Sequence, residues 1–425
     1  MTLLIFIGTL AATLMTGVPV AFALLICAAA MGYALGLFDP QIITQRMIVG
    51  ANSFPLLAIP FFLLAGELMN AGGMSRRIIR FAMAFVGHLR GGLGVVAIFA
   101  AVILASLSGS AAADTAALIS ILLPMMRESG HDEARAVGLM ASGGVIAPII
   151  PPSIAYIIFG VATDLSISQL FMAGIVPGVL MGVGALTAWI IVARRENVAA
   201  LPRQGWRERA KVTRSAIWSL GMPVIILGGI RFGIVTPTEA AVIAAVYAIF
   251  VGMVIHRELS VRQLFEAFRS AALTTAVVMM LAAAALATGW FISVADLSGI
   301  VLDLVRPLAE HPTLLLLVVM AVVLIIGTML DMGPTILILA PVLLPVVTKA
   351  GIDPIYFGVL FVINTAIGLV TPPVGIVLSV SAGVSNVPLH RVAKGAAPFI
   401  LAQVIVLLLL VLFPQLVLGP LQWLR

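Results

Sequence analysis

SLSGSAAADTAAL at 106–118, LLPMMRESGHD at 122–132 and GGVIAPIIPPSI at 143–154 have counterparts later in the chain: GTMLDMGPTILIL at 327–339, LLPVVTKAGID at 343–353 and NTAIGLVTPPVGI at 364–376. A constant shift of 221 positions carries Pro124 onto Pro345, Gly130 onto Gly351, Asp132 onto Asp353, Pro151 onto Pro372 and Pro152 onto Pro373. A gapless match across half the chain is an internal repeat. Paired hydrophobic segments interrupted by Gly, Pro and small polar residues in corresponding halves are the sequence pointer to a membrane transporter's binding site.

Composition fixes the solvent. With 62% hydrophobic residues, 9% charged and a mean hydropathy of +1.23, apolar side chains far exceed what one soluble core covers. The chain reads as an all-α polytopic membrane protein of roughly 12 spanning or half-spanning helices, because no alternating strand pattern is present and each helix satisfies its own backbone in lipid. A net charge of +6 does not indicate nucleic acid, since the 23 Lys and Arg residues sit in short loops where they orient a membrane protein. The one cysteine, Cys27, lies in an apolar run as a packing residue. No Lys or Arg precedes Arg46, so residues 1–15 lack the positive region of a signal peptide and are expected to be mature structure.

Apolar runs at 2–15, 18–36 and 52–72 predict three short helices, and MSRRIIRFAMAFVGHLR at 74–90 predicts a basic amphipathic helix lying in the interface. The arms flanking SLSGS are each shorter than the ~20 residues of a full crossing, which predicts a re-entrant hairpin over 92–126. A helix broken near Gly143–Pro152 and a run over 170–193 complete a first repeat, 1–193. Residues 194–214 are a basic linker. The second repeat, 215–425, has helices at 216–232, 238–255 and 270–293, an amphipathic piece at 296–310, a hairpin over 312–347, a broken helix at 355–383 and a last helix at 395–418. Placing the linker in the cytoplasm puts eighteen of the 23 basic residues inside and both termini in the periplasm, and makes the two repeats inverted in topology.

The candidate site follows from the interruptions. Ser106, Ser108, Gly109 and Ser110 bring hydroxyls and a flexible backbone to the first tip; a half-helix beginning near Ser110 points N–H groups at an anion, and carbonyls ending the preceding arm suit a small cation. Small residues that merely let helices approach closely are the plainer alternative. At the breaks, prolines free carbonyls that a sodium ion or neighbouring side chains must satisfy; Ser142, Gly144 and Ser153 stand at the first, and Asn364, Thr365, Gly368 and Thr371 at the second. Thr328 and Asp331 hold the second tip. The expected substrate contacts are Ser108, Ser110, Ser153, Asn364, Thr365 and Asp331, and the expected sodium ligands are drawn from Ser106, Gly109, Ser142, Gly144, Thr328, Asp331, Gly368 and Thr371. Asp114, in the first turn after the first tip, reads as a dipole-favoured helix-start acid. Thr236-Pro237-Thr238-Glu239 reads as a capping box, and Glu67 is left without a role. Neither a phosphate-binding G-x-x-x-x-G-K-[ST] nor H-E-x-x-H occurs, so no cofactor, transition metal or catalytic set is expected, and an ion gradient is left as the energy source.

On SGSAAADTAAL (108–118), GVIAPIIPPSI (144–154), TPTEAA (236–241), and LAPVLLP, GIDPIYFGV and TPPVG between 339 and 375, the chain resembles the large membrane subunit of tripartite ATP-independent periplasmic (TRAP) transporters over essentially its whole length. The resemblance implies an elevator-type, sodium-coupled importer in the bacterial inner membrane. It implies two partners, a small four-helix membrane subunit and a soluble periplasmic binding protein that delivers an organic acid. A divalent-anion/sodium symporter of similar architecture, working without a binding protein, is the alternative.

Orientation is tested by labelling intact cells with an impermeant thiol reagent after Cys27→Ser and single cysteines at Gln204 or Gln422. Labelling is expected at 422 and absent at 204; the reverse pattern defeats the inverted topology.

Overall fold

Caps and prolines set the helix boundaries. Asp39 accepts the Gln41 N–H at 2.7 Å ahead of Pro40, Thr236 and Glu239 form the reciprocal capping box that the TPTE stretch predicts, and Asp132 and Asp353 cap helices at equivalent positions of the two halves. The structure, a computed structural model, describes residues 1–89, 91–194 and 202–424. The expectations that fall on Arg90, on 195–201 of the linker and on Arg425 lie outside the described residues.

Five helices precede the first hairpin: α1 (Thr2–Met15), α2 (Val20–Leu35), α3 (Pro40–Ala51), α4 (Ala58–Ala71) and α5 (Met74–Val86). The hairpin is α6 (Gly92–Ser108) and α7 (Ala111–Glu128); the broken helix is α8 (Glu133–Gly144) and α9 (Ile154–Thr163), followed by α10 (Ile167–Ala193). The second half runs through α11 (Trp206–Arg231), α12 (Pro237–Phe250), α13 (Val261–Val294), α14 (Leu297–Leu304) and α15 (Arg306–Ala309). Its hairpin is α16 (Pro312–Gly327) and α17 (Met332–Lys349), its broken helix α18 (Pro354–Gly368) and α19 (Ile376–Ser385), and α20 (Leu389–Leu412) and α21 (Gln415–Leu424) close the chain. No strand occurs among the described residues, and seven of the helices are long and apolar enough to cross a membrane.

Three expectations are corrected in detail. α3 falls where no helix is predicted. α11 starts at Trp206, so the last part of the 194–214 linker is helical. The amphipathic segment is helical as α5, but its apolar face (Met74, Ile78, Ile79, Ala82) is buried on protein, against α4, α6 and α11, and not on lipid. Arg77 fastens its start to Glu258 at 2.9 Å.

The helices fall into two packing groups. α2, α3, α4 and α12 gather around α13 and each other, while α6, α7, α19 and α20 surround α8. The halves also interlock: α7 of the first hairpin packs on α19 of the second broken helix, and α17 of the second hairpin packs on α9 of the first. The 221-residue relation survives in the backbone. Gly130 and Gly351 share φ +81, and the Pro151-Pro152 and Pro372-Pro373 bonds are both cis.

Close approach of α8 and α20 depends on two glycines. A Cβ on Gly138 would lie 2.4 Å from the Ala396 nitrogen, and one on Gly395 would lie 2.2 Å from the Ala134 carbonyl oxygen. Overpacking in such a contact costs roughly 1–3 kcal/mol. Gly395→Val is therefore expected to lower both the yield of monodisperse protein and its thermal midpoint in detergent, whereas Gly228→Ala, with open space around it, leaves both unchanged; equal behaviour of the two variants would contradict the packing described.

Candidate functional site between the two hairpin tips

Each hairpin turns at a residue that caps the returning helix. Ser110 accepts the Ala113 N–H at 3.4 Å and starts α7, and Asp331 accepts the Met332 N–H at 2.8 Å and starts α17. The two caps occupy the same position of the repeat, 221 residues apart. Both line one cavity of about 430 Å³, together with Gly109, Ala111, Met332 and Gly333. First-turn residues of two helices thus face a common space, and their N–H groups carry the positive ends of two helix dipoles toward it. The opposite wall is apolar and comes from the other packing group: Val20 of α2, Leu63 of α4, and Val277, Val278 and Leu281 of α13.

The tips rest on the helix breaks. Gly109 has φ +61, a left-handed turn glycine adopts freely, and a Cβ there would lie 2.9 Å from the Pro152 carbonyl oxygen. In the second half the Gly375 N–H donates to the Thr328 carbonyl at 3.3 Å, and a Cβ on Gly368 would come within 2.7 Å of the Gly327 backbone. Both breaks reach the cavity, through Pro148 and Ile154 on one side and Leu369 and Ile376 on the other.

The structure sorts the expected site residues into two sets. Gly109, Ser110 and Asp331 face the cavity. The others stand behind it and do not line it. Ser153 is fully buried, capping α9 through the Tyr156 N–H at 3.3 Å and donating to the Pro148 carbonyl at 2.5 Å. Asn364 donates to the Met320 carbonyl at 2.6 Å and leaves its Oδ1 unpartnered. Thr365, Thr371, Thr328 and Ser106 all turn their hydroxyls back onto carbonyls of the preceding turn; each keeps an oxygen lone pair able to face a cation. Ser142 is buried with an unpartnered hydroxyl, and Gly144 sits where a Cβ would collide with Thr115 Oγ1. Ser108, also behind the tip, donates to Asp114 Oδ1 at 2.5 Å and accepts the Ser110 N–H at 3.1 Å.

Asp114 stands in the first turn of α7, as the sequence reading places it, behind the Ser110 cap, and its side chain is in addition a buried brace across the tip. Its Oδ2 and the neighbouring Thr115 Oγ1 are buried without partners. Thr115 went unnoticed in the sequence although it directly follows a carboxylate at membrane depth. Gln403 was also missed. Its Nε2 donates to the Ser142 carbonyl at 2.6 Å across 261 residues, and a lone amide in an apolar crossing helix is itself a signal. Glu67 accepts the Ser270 hydroxyl at 2.9 Å, joining α4 to α13.

Two interlocked hairpins, two broken helices and a shared cavity with helix N-termini aimed into it define a multi-pass membrane transporter. The chain matches the family model described as "Tripartite ATP-independent periplasmic transporter, DctM component" over residues 7–416, and it belongs to that family. It is 51% identical, over the whole of both chains, to the 2,3-diketo-L-gulonate TRAP transporter large permease protein of Escherichia coli. Identity to the sialic acid TRAP transporter large permease protein of Vibrio cholerae is 36%, over 95% of this chain and 94% of that one. Among solved structures, the Alcanivorax borkumensis YdaH transporter shares the fold, with a TM-score of 0.67 over 91% of each chain at 13% identity. These relatives are transport proteins, and the chain is a transporter permease component and not an enzyme.

The Ser108–Asp114 brace generates a test. Asp114→Ala removes the hydrogen bond from Ser108, and Ser108→Ala removes that bond together with the one it accepts from the Ser110 N–H, at about 1–3 kcal/mol for each bond lost. The double variant is expected to lose little beyond the larger single loss, since both changes break the same interaction. Thermal unfolding in detergent measures this; additive losses would show that the two side chains act separately.

Proposed function

We propose that the chain imports an organic-acid anion by coupling it to sodium, receives that anion from a periplasmic binding protein, and works beside a small four-helix membrane subunit in the bacterial inner membrane. The observation that carries the proposal is the shared cavity between Ser110 and Asp331. An anion there meets the N-termini of α7 and α17, with Ser110 as a neutral donor. The carboxylate of Asp331 would repel an anion unless a cation stands between them, and the C-terminal carbonyls of α6 and α16 supply the oxygen surface for one. Substrate and sodium then lower each other's cost of entry into a low-dielectric site.

The sodium positions proposed lie where each tip meets its break. One draws on Ser106, Gly109, Ser142 and Gly144 with Asp114 behind them, the other on Thr328, Asp331, Gly368 and Thr371. The packing groups supply the moving parts. The hairpins and broken helices carry every polar cavity residue, while α2, α4 and α13 offer a smooth apolar wall along which that body slides as an elevator, the two repeats being inverted in the membrane. The full-length likeness to a diketogulonate permease makes a hydroxylated sugar-acid anion the first substrate to test.

Proteoliposomes containing this chain and its small partner, supplied with loaded binding protein, are expected to take up substrate only under an inward sodium gradient and without ATP. Asp331→Asn should weaken uptake and sodium dependence together, and Ser110→Ala should raise the substrate concentration needed. Linked binding of the two ions typically amounts to about 1–3 kcal/mol, or roughly 5- to 150-fold. Equal uptake in sodium-free buffer, or wild-type sodium dependence in a folded Asp331→Asn protein, sinks the proposal. Uptake of free substrate without binding protein would favour the binding-protein-independent symporter.

A further inference from the structure

At the end of the bundle where α8 begins, α10 ends and α20 begins, a cavity of about 740 Å³ is lined by Arg135, His390, Arg391 and Lys394, with Asp132 the one acid among the described lining residues. Asp132 is already engaged, its Oδ1 accepting the Arg135 backbone N–H at 2.8 Å as the cap of α8. Arg391 and Lys394 stand in the first two turns of α20, where cations oppose the helix dipole. No side chain caps that helix, and neither Arg391 nor Lys394 has an acidic partner among the described residues. Two such cations, Arg391 and Lys394, beside an uncapped helix start are costly unless an anion occupies the space.

The cavity does not end there. Ile191, Val192 and Pro398 line it and also line a second cavity of about 490 Å³ that continues between α10 and α20. The second is walled by Leu401, Ile405, Val406 and Leu409, and Thr187 is its one polar side chain. Its floor is the close approach of Gly184 to Val406, where a Cβ would lie 2.7 Å from Cγ2. Leu401 is 61% exposed and Ile405 49%, so the groove opens outward to the bilayer.

We propose that these two cavities form one site for an anionic phospholipid, whose phosphate is held by Arg391 and Lys394 and whose acyl chain lies in the groove between α10 and α20. Basic pockets between membrane helices take such headgroups. A free phosphate leaves the groove uncovered, and a zwitterionic lipid brings no net charge to the cations. Because Gly395 and Gln403 of α20 contact α8 directly, an occupied site clamps α20 to the first broken helix from outside.

Detergent-purified protein stripped of lipid is titrated with phosphatidylglycerol, with phosphatidylcholine of the same chains, and with glycerol 3-phosphate, reading bound lipid by native mass spectrometry and the thermal midpoint. Phosphatidylglycerol is expected to bind at least tenfold tighter than phosphatidylcholine and to raise the midpoint, and glycerol 3-phosphate to do neither. Arg391→Gln with Lys394→Gln should weaken phosphatidylglycerol by roughly 30-fold, from the usual contribution of two basic residues near an anionic surface, while sparing phosphatidylcholine. Thr187→Trp, which fills the groove from an exposed wall, should weaken both lipids. Equal binding of the two lipids by the wild type, persistence of the preference in the double variant, or glycerol 3-phosphate binding as tightly as phosphatidylglycerol would each overturn the proposal.

Discussion

Backbone polar groups have no water to bond inside a bilayer, so a chain that stops halfway across must satisfy them with protein. Everything distinctive about this fold follows from stopping four times: at two hairpin tips and two helix breaks. A tip alone leaves carbonyls of its first arm exposed, and a break alone leaves carbonyls freed by proline. Set against each other they pack closely, and one of these carbonyls gains a donor. Gly109 lies on the Pro152 carbonyl, and the Gly375 N–H reaches the Thr328 carbonyl. The contacts need glycine because only a missing Cβ lets two irregular backbones come so near.

The interlock between halves extends that constraint from local to global. α7 and α19, and α17 and α9, form pairs that cross the repeat boundary, so neither hairpin completes its packing within its own half. The symmetry is nonetheless broken where chemistry is concerned. Position 110 is a serine and its equivalent, 331, an aspartate; position 114 is an aspartate and its equivalent, 335, a threonine whose hydroxyl donates to the Asp331 carbonyl at 2.8 Å. Each half therefore holds one acid near its tip, in the cavity in one case and behind the tip in the other. The same scaffold presents two different electrostatic faces to whatever lies between them.

Much of this was legible in sequence because the repeat announced the four interruptions and because caps are local. The Thr236–Glu239 box needs only three residues of context. α3 escaped because PQIITQRMIVGA has few consecutive apolar residues. The start of α11 escaped because RERAKVTR was read by its charge, although Arg, Glu, Ala and Lys are also strong helix formers. The hidden parts of the site were non-local or geometric. The Ser108–Asp114 bond depends on how the tip bends, and the Gln403–Ser142 bond spans 261 residues. The apolar wall opposite the tips consists of ordinary valines and leucines that no motif separates from their neighbours.

That wall explains why the polar residues are distributed so unevenly. If both sides of the cavity carried hydrogen-bonding groups, moving one body against the other would break specific bonds and leave buried groups unpaired, at about 1–3 kcal/mol for each. Val277, Val278, Leu281 and Leu63 make only dispersion contacts, which are individually small and can be exchanged for others of the same kind. On the proposed sliding motion, a smooth wall keeps the barrier low. In the elevator mechanism proposed above, the sodium and substrate ligands would have to hold their geometry through the stroke. On that proposal, placing all of them on one interlocked body, braced behind by Ser108–Asp114 and Gln403–Ser142, meets both demands at once.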